Sequence, residues 1–398
     1  MRIALLGCGM MGRGAAYGLA GNPAVRQLVL LDRDRFRADR LARWIATCFP
    51  TEVTVDTDPV SAVDGSDAVA MAMPWDATRT AIPVALSAGV PVASITRPRY
   101  TELAGLHAEA VRWRGRLLLP LGLEPGLTEV LAVHAAARLD RVDAVDIRCG
   151  GVPRVPRGPL GYTAHFGGGL LPIGQREALT LRAGRPVAVP RFSGVETTWV
   201  DDLGQFEAYH DGMVPWLADH PALRGIDATQ KTLRWPGFAP AITGLARLGL
   251  LDDRPVDVDG VRVAPRRVVE RVLASTVAPR SDGDDGDDLV VLDLAARGVV
   301  DGRPATVRTT LIDSSDPDAP LSAMARTTGF ALAAGTVLLA DGTLTGSGWL
   351  KPHLAVTGLA FTRLMGELTR RGVAWRPATE LVPAGSDPAR RSAAGREE

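Results

Sequence analysis

The feature that most constrains this chain is a strand, turn and helix at its start. Residues 2–6 (RIALL) read as a short buried strand, Gly7-Cys8-Gly9-Met10-Met11-Gly12 follows at once, and residues 13–20 continue as a small-residue helix. G-x-G-x-x-G in that setting has a mechanical reading. Gly7 makes the tight turn, Gly9 lets the main chain approach a pyrophosphate, and Gly12 lets the helix pack closely on the strand. The helix opening at Met10 and Met11 offers unpaired N–H groups and partial positive charge to phosphate. About twenty residues after the last glycine, the strand 27–31 ends in Asp32, whose carboxylate can accept ribose hydroxyls. The pattern predicts a nicotinamide dinucleotide cofactor. Asp32 favours NAD, because its charge repels the 2′-phosphate of NADP. Arg33 and Arg35 keep NADP as the alternative, since an arginine in this loop accommodates that phosphate.

Strand-like and helical runs alternate up to residue 121: strands at 53–55, 67–73, 91–95 and 117–121, with helices at 35–48, 77–88 and 101–113. Such alternation predicts an α/β Rossmann fold, a doubly wound parallel sheet of six strands. Its ligand lies beyond the carboxyl ends of the strands, so Pro74, Trp75, Ser94 and Thr96 are predicted to border the nicotinamide half of the cleft. From Gly122 the rhythm changes to β-like runs separated by Gly and Pro, which predicts a mixed α+β domain. The acidic run 281–288 (SDGDDGDD) reads as a solvated hairpin tip, since no ligand spacing accompanies it. Helices at 321–339 and 354–371 lack a core of their own and are expected to return to the first domain. The predicted domains are 1–123 with 321–380 for the dinucleotide, 124–320 for substrate and dimerisation, and 381–398 as a disordered tail.

The 398 residues suffice for two domains. Forty-five basic residues balance forty-five acidic ones, which points to a small-molecule partner rather than nucleic acid or a membrane surface. Three cysteines without C-x-x-C argue against a disulfide framework and a zinc site, and no metal is expected. The start of the chain leaves no room for a signal peptide and no long apolar run is present, so a cytoplasmic protein is expected.

Gly122-Leu123-Glu124-Pro125-Gly126 and, further on, Arg148-Cys149-Gly150-Gly151-Val152-Pro153 resemble the G-L-D-P-G and Y-C-G-G-L-P segments of the saccharopine dehydrogenase-like family, which includes saccharopine reductase and lysine 6-dehydrogenase. Pro159-Leu160-Gly161-Tyr162 is similar to N-P-L-G-Y, Phe206-Glu207-Ala208-Tyr209 to L-E-A-F, and Lys231 to Gly237 to K-T-L-R-Y-P-G. Three departures stand out: Glu124 for the aspartate, Arg148 for an aromatic residue, and Phe238 for a histidine after the last motif.

The resemblance implies a homodimeric oxidoreductase that exchanges hydride between nicotinamide and an amine-bearing carbon of a lysine-like amino acid. Glu124 is the candidate base, with helix capping as its structural alternative. Cys149 is implied as an acid/base or pocket residue; its alternative is a small buried hydrophobe. Arg234 and Lys231 are the candidate carboxylate holders, with surface charge as the alternative. Tyr162 and His165 are candidate pocket residues. A nucleotide-binding sensor or scaffold without chemistry is the competing function.

Overall fold

A computed structural model describes residues 1–162, 173–174, 177–200, 203–277, 287–315 and 321–381. His165 and residues 281–286 of the acidic run lie outside them, as do residues 382–398.

The first sheet is parallel throughout, in the order Gly348–Leu350, Arg116–Leu118, Val92–Ser94, Ala68–Met71, Arg2–Leu6, Gln27–Leu31, Glu52–Asp56. Ile3, Ala4 and Leu5 of its central strand are wholly buried, as a parallel sheet covered on both faces requires. It has seven strands, not six. The seventh, Gly348–Leu350, comes from far along the chain and at three residues is too short to show periodicity. Strand order reverses between Arg2–Leu6 and Ala68–Met71, which puts the ligand crevice at their carboxyl ends.

The second sheet runs in the order Glu196–Val200, Gly204–His210, Asp227–Arg234, Arg141–Pro153, Asp288–Val300, Arg303–Ser314, Trp375–Leu381. All its neighbours are antiparallel except Asp227–Arg234 with Arg141–Pro153, which are parallel. A side hairpin, Glu177–Arg182 and Arg185–Pro190, pairs with Asp227–Arg234 at Ala228. The last strand runs to Leu381, so the chain stays ordered through the residue where the tail was expected to begin.

Helix Ala323–Ala340 joins the two sheets. Its sequence is apolar on every side and it is buried nearly throughout, the composition of a core helix. Among the described helices it alone is long and apolar enough to cross a membrane, and 89% of it is buried inside the fold. It crosses the Met10–Ala20 helix at glycines. A Cβ on Gly14 would meet the Ala325 carbonyl oxygen at 1.9 Å, and one on Gly329 would meet the Ala15 nitrogen at 2.4 Å. Gly14→Ala should therefore destabilise the protein by roughly 3 kcal/mol or more, because backbone stands on both sides and cannot yield. Chemical denaturation measures this directly, and a loss under about 1 kcal/mol would mean that the helices separate freely.

The start of this helix corrects the reading of the acidic run at its last residue, Asp288. Asp288 is fully buried and accepts hydrogen bonds from the Ala323 and Met324 amides, alongside the Ser322 hydroxyl on Ala325 N. Carboxylate and hydroxyl together satisfy a buried helix N-terminus. The expected helix 354–371 is two, Pro352–Ala355 and Gly358–Arg370.

Candidate active site

The dinucleotide cradle is shaped by what glycine lacks. Gly7 adopts φ 99°, and a Cβ on Gly12 would meet the Gly7 carbonyl oxygen at 1.9 Å, so turn and helix are in direct contact. A Cβ on Gly9 would meet nothing within 4 Å: open space lies over this residue, where a pyrophosphate would approach. Gly9 caps the Met10–Ala20 helix without a side-chain hydrogen bond, and the first turn holds no acidic residue. These features fit a dinucleotide phosphate. Asp32 ends its strand with one carboxylate oxygen accepting from Cys8 N at 2.7 Å and the other from Asp34 N at 2.9 Å. Those contacts fix its rotamer while leaving a lone pair on each oxygen for a ribose. Arg37 sits 3.8 Å from it, whereas Arg33 and Arg35 are exposed.

At the far half of the crevice, the hydroxyls of Ser94 and Thr96 tie the strand ends together. Ser94 Oγ accepts from Thr96 N at 3.1 Å, and Thr96 Oγ1 donates to the Met73 carbonyl at 2.5 Å. Pro74 caps the next helix. Trp75 turns away: its ring is buried in the apolar cluster on the sheet's other face and its indole N–H goes to Glu102. Leu121 N donates to the Ser94 carbonyl at 2.7 Å, which ties the Gly122–Gly126 turn to this edge.

The second sheet supplies the opposing wall. Paired residues on neighbouring strands share a face, as do residues two apart on one strand. Tyr209 pairs with Thr232 and Thr232 with Cys149, so the three form a row across three strands. Gln230 and Arg234 flank Thr232 along the central strand. Lys231 falls on the opposite face, where its ammonium binds the Gly194 carbonyl at 2.8 Å and Glu196 at 2.9 Å. Lys231 and Arg234 are three positions apart, an odd offset that sends them to opposite sides. This corrects their pairing as joint carboxylate holders: Arg234 shares the face of the row, whereas Lys231 belongs to an ion-pair network with Glu196 and Arg148.

Arg234 is buried, with one terminal nitrogen donating to the Leu233 carbonyl at 2.7 Å. Its guanidinium lies 4.9 Å from the centre of the Tyr162 ring and 5.7 Å from that of Phe238. Burial alone disfavours that charge, but Tyr209, Tyr162, Asp211 and Glu124 around it more than compensate and hold its pKa above the usual value. Asp211 is itself bound by Arg191 at 2.5 Å and by the Thr232 hydroxyl at 3.0 Å.

Glu124 stands between the walls, partly open to solvent yet crowded by protein. Its carboxyl is pushed up to about 8, first by desolvation, then by the charges of Asp211 and Glu129; Gln230 and Arg234 pull the other way. The capping alternative fails, because Gly126 is the N-cap of helix Leu127–Ala136 and the carboxylate that accepts from Gly126 N is Glu129. Cys149 neighbours Glu124, and burial with the adjacent carboxylate pushes its thiol well above the usual range. It stays a protonated donor, not a nucleophile.

Sequence reasoning missed Glu129 and Gln230. Glu129 is buried and accepts from the Thr128 hydroxyl at 2.9 Å and the Gln230 amide at 3.2 Å. The three-residue spacing from Gly126 to Glu129 was the available signal, since it is that of a capping box.

A glycine-rich cradle on a parallel sheet, set against a buried, charged face of a mixed sheet, defines a two-domain dehydrogenase fold. Residues 122–373 match the family model of the saccharopine dehydrogenase C-terminal domain, and the chain belongs to the saccharopine dehydrogenase family. It is similar in fold to apo saccharopine dehydrogenase (L-Glu forming) from Saccharomyces cerevisiae, with a TM-score of 0.76 at 20% identity over 95% of this chain and 99% of that one. Fainter likeness extends to a protein from gentamicin A biosynthesis solved in complex with NAD (TM-score 0.44, 13% identity, 96% and 97% covered). A dehydrogenase from Chromobacterium violaceum is similar at TM-score 0.42 and 12% identity, with 93% and 92% covered.

Proposed function

We propose that this chain is an NAD-dependent dehydrogenase acting at the amine-bearing carbon of a lysine-like amino acid, N6-substituted lysines included. The observation that carries the reading is the Glu124 carboxyl, with its pKa raised to about 8, between the dinucleotide sheet and the Tyr209–Thr232–Cys149 row. Bound nicotinamide would supply the hydride acceptor or donor, held by Gly7, Gly9, Gly12 and Asp32. Loss of hydride from a carbon next to nitrogen needs the nitrogen lone pair, so the amine must be neutral. A free lysine ammonium has a pKa of about 10.4. Glu124 at about 8 is a far stronger base than an ordinary carboxylate, and can take that proton in mildly alkaline solution. Cys149 keeps its proton and donates to Glu124, steadying the carboxylate. Arg234 offers a fixed positive charge to the substrate carboxylate, with Tyr162 beneath it.

Incubation of the protein with NAD and a panel of L-lysine and N6-substituted lysines tests the reading through nicotinamide absorbance. At least one amine should reduce the cofactor. Tight NAD binding with no reduction by any member would favour a non-catalytic nucleotide-binding role.

Asp32 supports NAD over NADP. Asp32→Asn should weaken NAD binding about tenfold and narrow the preference between the two cofactors, as titration calorimetry would measure. Tighter binding of NADP by the unmodified protein would contradict the assignment.

A further inference from the structure

Three buried polar atoms on the sheet face described above have no hydrogen-bond partner among the described residues: Arg234 Nε, the Tyr209 hydroxyl and Gln230 Oε1. Buried polar groups are nearly always paired, and an orphan costs stability, so a cluster of orphans on one wall needs an explanation. Their chemistry is sorted by position. Arg234 Nε is a donor, and Tyr209 is a hydroxyl within the electrostatic reach of Arg234. Gln230 Oε1 is an acceptor, because the amide's nitrogen is committed to Glu129 at 3.2 Å, and its neighbour is Glu124. Along the central strand Arg234 offers a donor and Gln230 an acceptor, and the Tyr209 hydroxyl, on the strand beside Thr232, falls under the influence of the Arg234 charge. Gln230 and Arg234 are four residues apart on an extended strand, which separates their Cα atoms by roughly 13 Å.

We propose that this face reads both ends of the substrate: Tyr209 and Arg234 Nε bind a carboxylate, while Gln230 Oε1 accepts from the amine that Glu124 deprotonates. Tyr209 and Gln230 are then specificity-determining residues, selecting amino acids whose reacting amine and carboxylate are separated by a chain of several carbons. Tyr209 is held for that task. Its ring packs 6.1 Å from Phe238 at an interplanar angle of 10°, and 5.2 Å from Phe192, so the hydroxyl has one orientation. Thr232, midway between Gln230 and Arg234, and Cys149 beside it carry the short side chains over which such a carbon chain would lie.

The proposal rests on the amine-dehydrogenase reading for the role of Glu124, but its test does not require turnover. Thermal melts are recorded with 6-aminohexanoate, hexanoate and hexylamine in the presence of NADH, so that no hydride can leave the ligand. All three should raise the melting temperature of the unmodified protein, 6-aminohexanoate the most. Tyr209→Phe removes one oxygen and keeps the ring; it should need about tenfold more hexanoate for the same shift and respond normally to hexylamine. Gln230→Met should show the converse. A Tyr209→Phe protein that responds to hexanoate like the unmodified one, or an unmodified protein that responds to none of the three ligands, overturns the proposal. Ligand shifts that follow this pattern in a protein that reduces no nicotinamide with any amine would uphold the two-ended site and sink the dehydrogenase reaction.

Discussion

Glu124→Gln is expected to lower turnover by about 10²–10⁴-fold while leaving dinucleotide affinity unchanged. The substitution keeps size and hydrogen bonding but removes a carboxyl that changes protonation near pH 8. In the unmodified protein, amine oxidation should rise with pH through about 8, where Glu124 ionises, and the variant should lose that limb. Stability carries a second, independent sign. A carboxyl whose pKa is raised on folding stabilises the native state while protonated, in full below the unfolded value of about 4.3, and this stabilisation is lost as pH rises through the folded value. At pH 9 the unmodified protein holds a desolvated carboxylate, so Glu124→Gln should melt higher there than the parent. At pH 4 the two should coincide. A variant that turns over normally and is merely less stable would return Glu124 to a structural role.

Arg234→Ala is expected to raise the substrate KM by roughly 10–100-fold with a smaller change in kcat, since a charge-assisted contact made equally in ground and transition states is lost. The guanidinium is buried among Tyr162, Tyr209 and Phe238, so collapse of this aromatic wall adds to the effect of truncation. Arg234→Lys separates the two. It keeps a cation but not the planar fork, and should recover only part of the affinity. An unchanged KM in both variants would make Arg234 a packing residue.

The dinucleotide cradle was legible because its chemistry is local. Gly7, Gly9, Gly12 and Asp32 are placed by two neighbouring strands, one turn and one helix within the first 32 residues, and Gly12 answers a steric demand from Gly7 five residues away. The substrate wall was less legible because it is assembled across the sheet. Cys149, Tyr209 and Thr232 become neighbours only through the pairing of three strands, one of them parallel. Glu129 reaches Gln230 across 101 residues of sequence. Lys231 and Arg234 look equivalent in K-T-L-R, and only the alternation of an extended strand separates them. Asp288 reads as one more acid in a polar run, yet it is drawn inward by a helix start 35 residues later. Strand Gly348–Leu350 gave no periodic signal, and its place at the sheet edge depends on pairing with Arg116–Leu118.

The central claim is that hydride passes between nicotinamide and an amine-bearing carbon beside Glu124. The most direct measurement uses the amine that reduces NAD fastest, prepared with deuterium on its amine-bearing carbon. The account predicts that deuterium is recovered on the reduced nicotinamide and that reduction is slower than with the unlabelled amine. Reduced nicotinamide free of deuterium would contradict it.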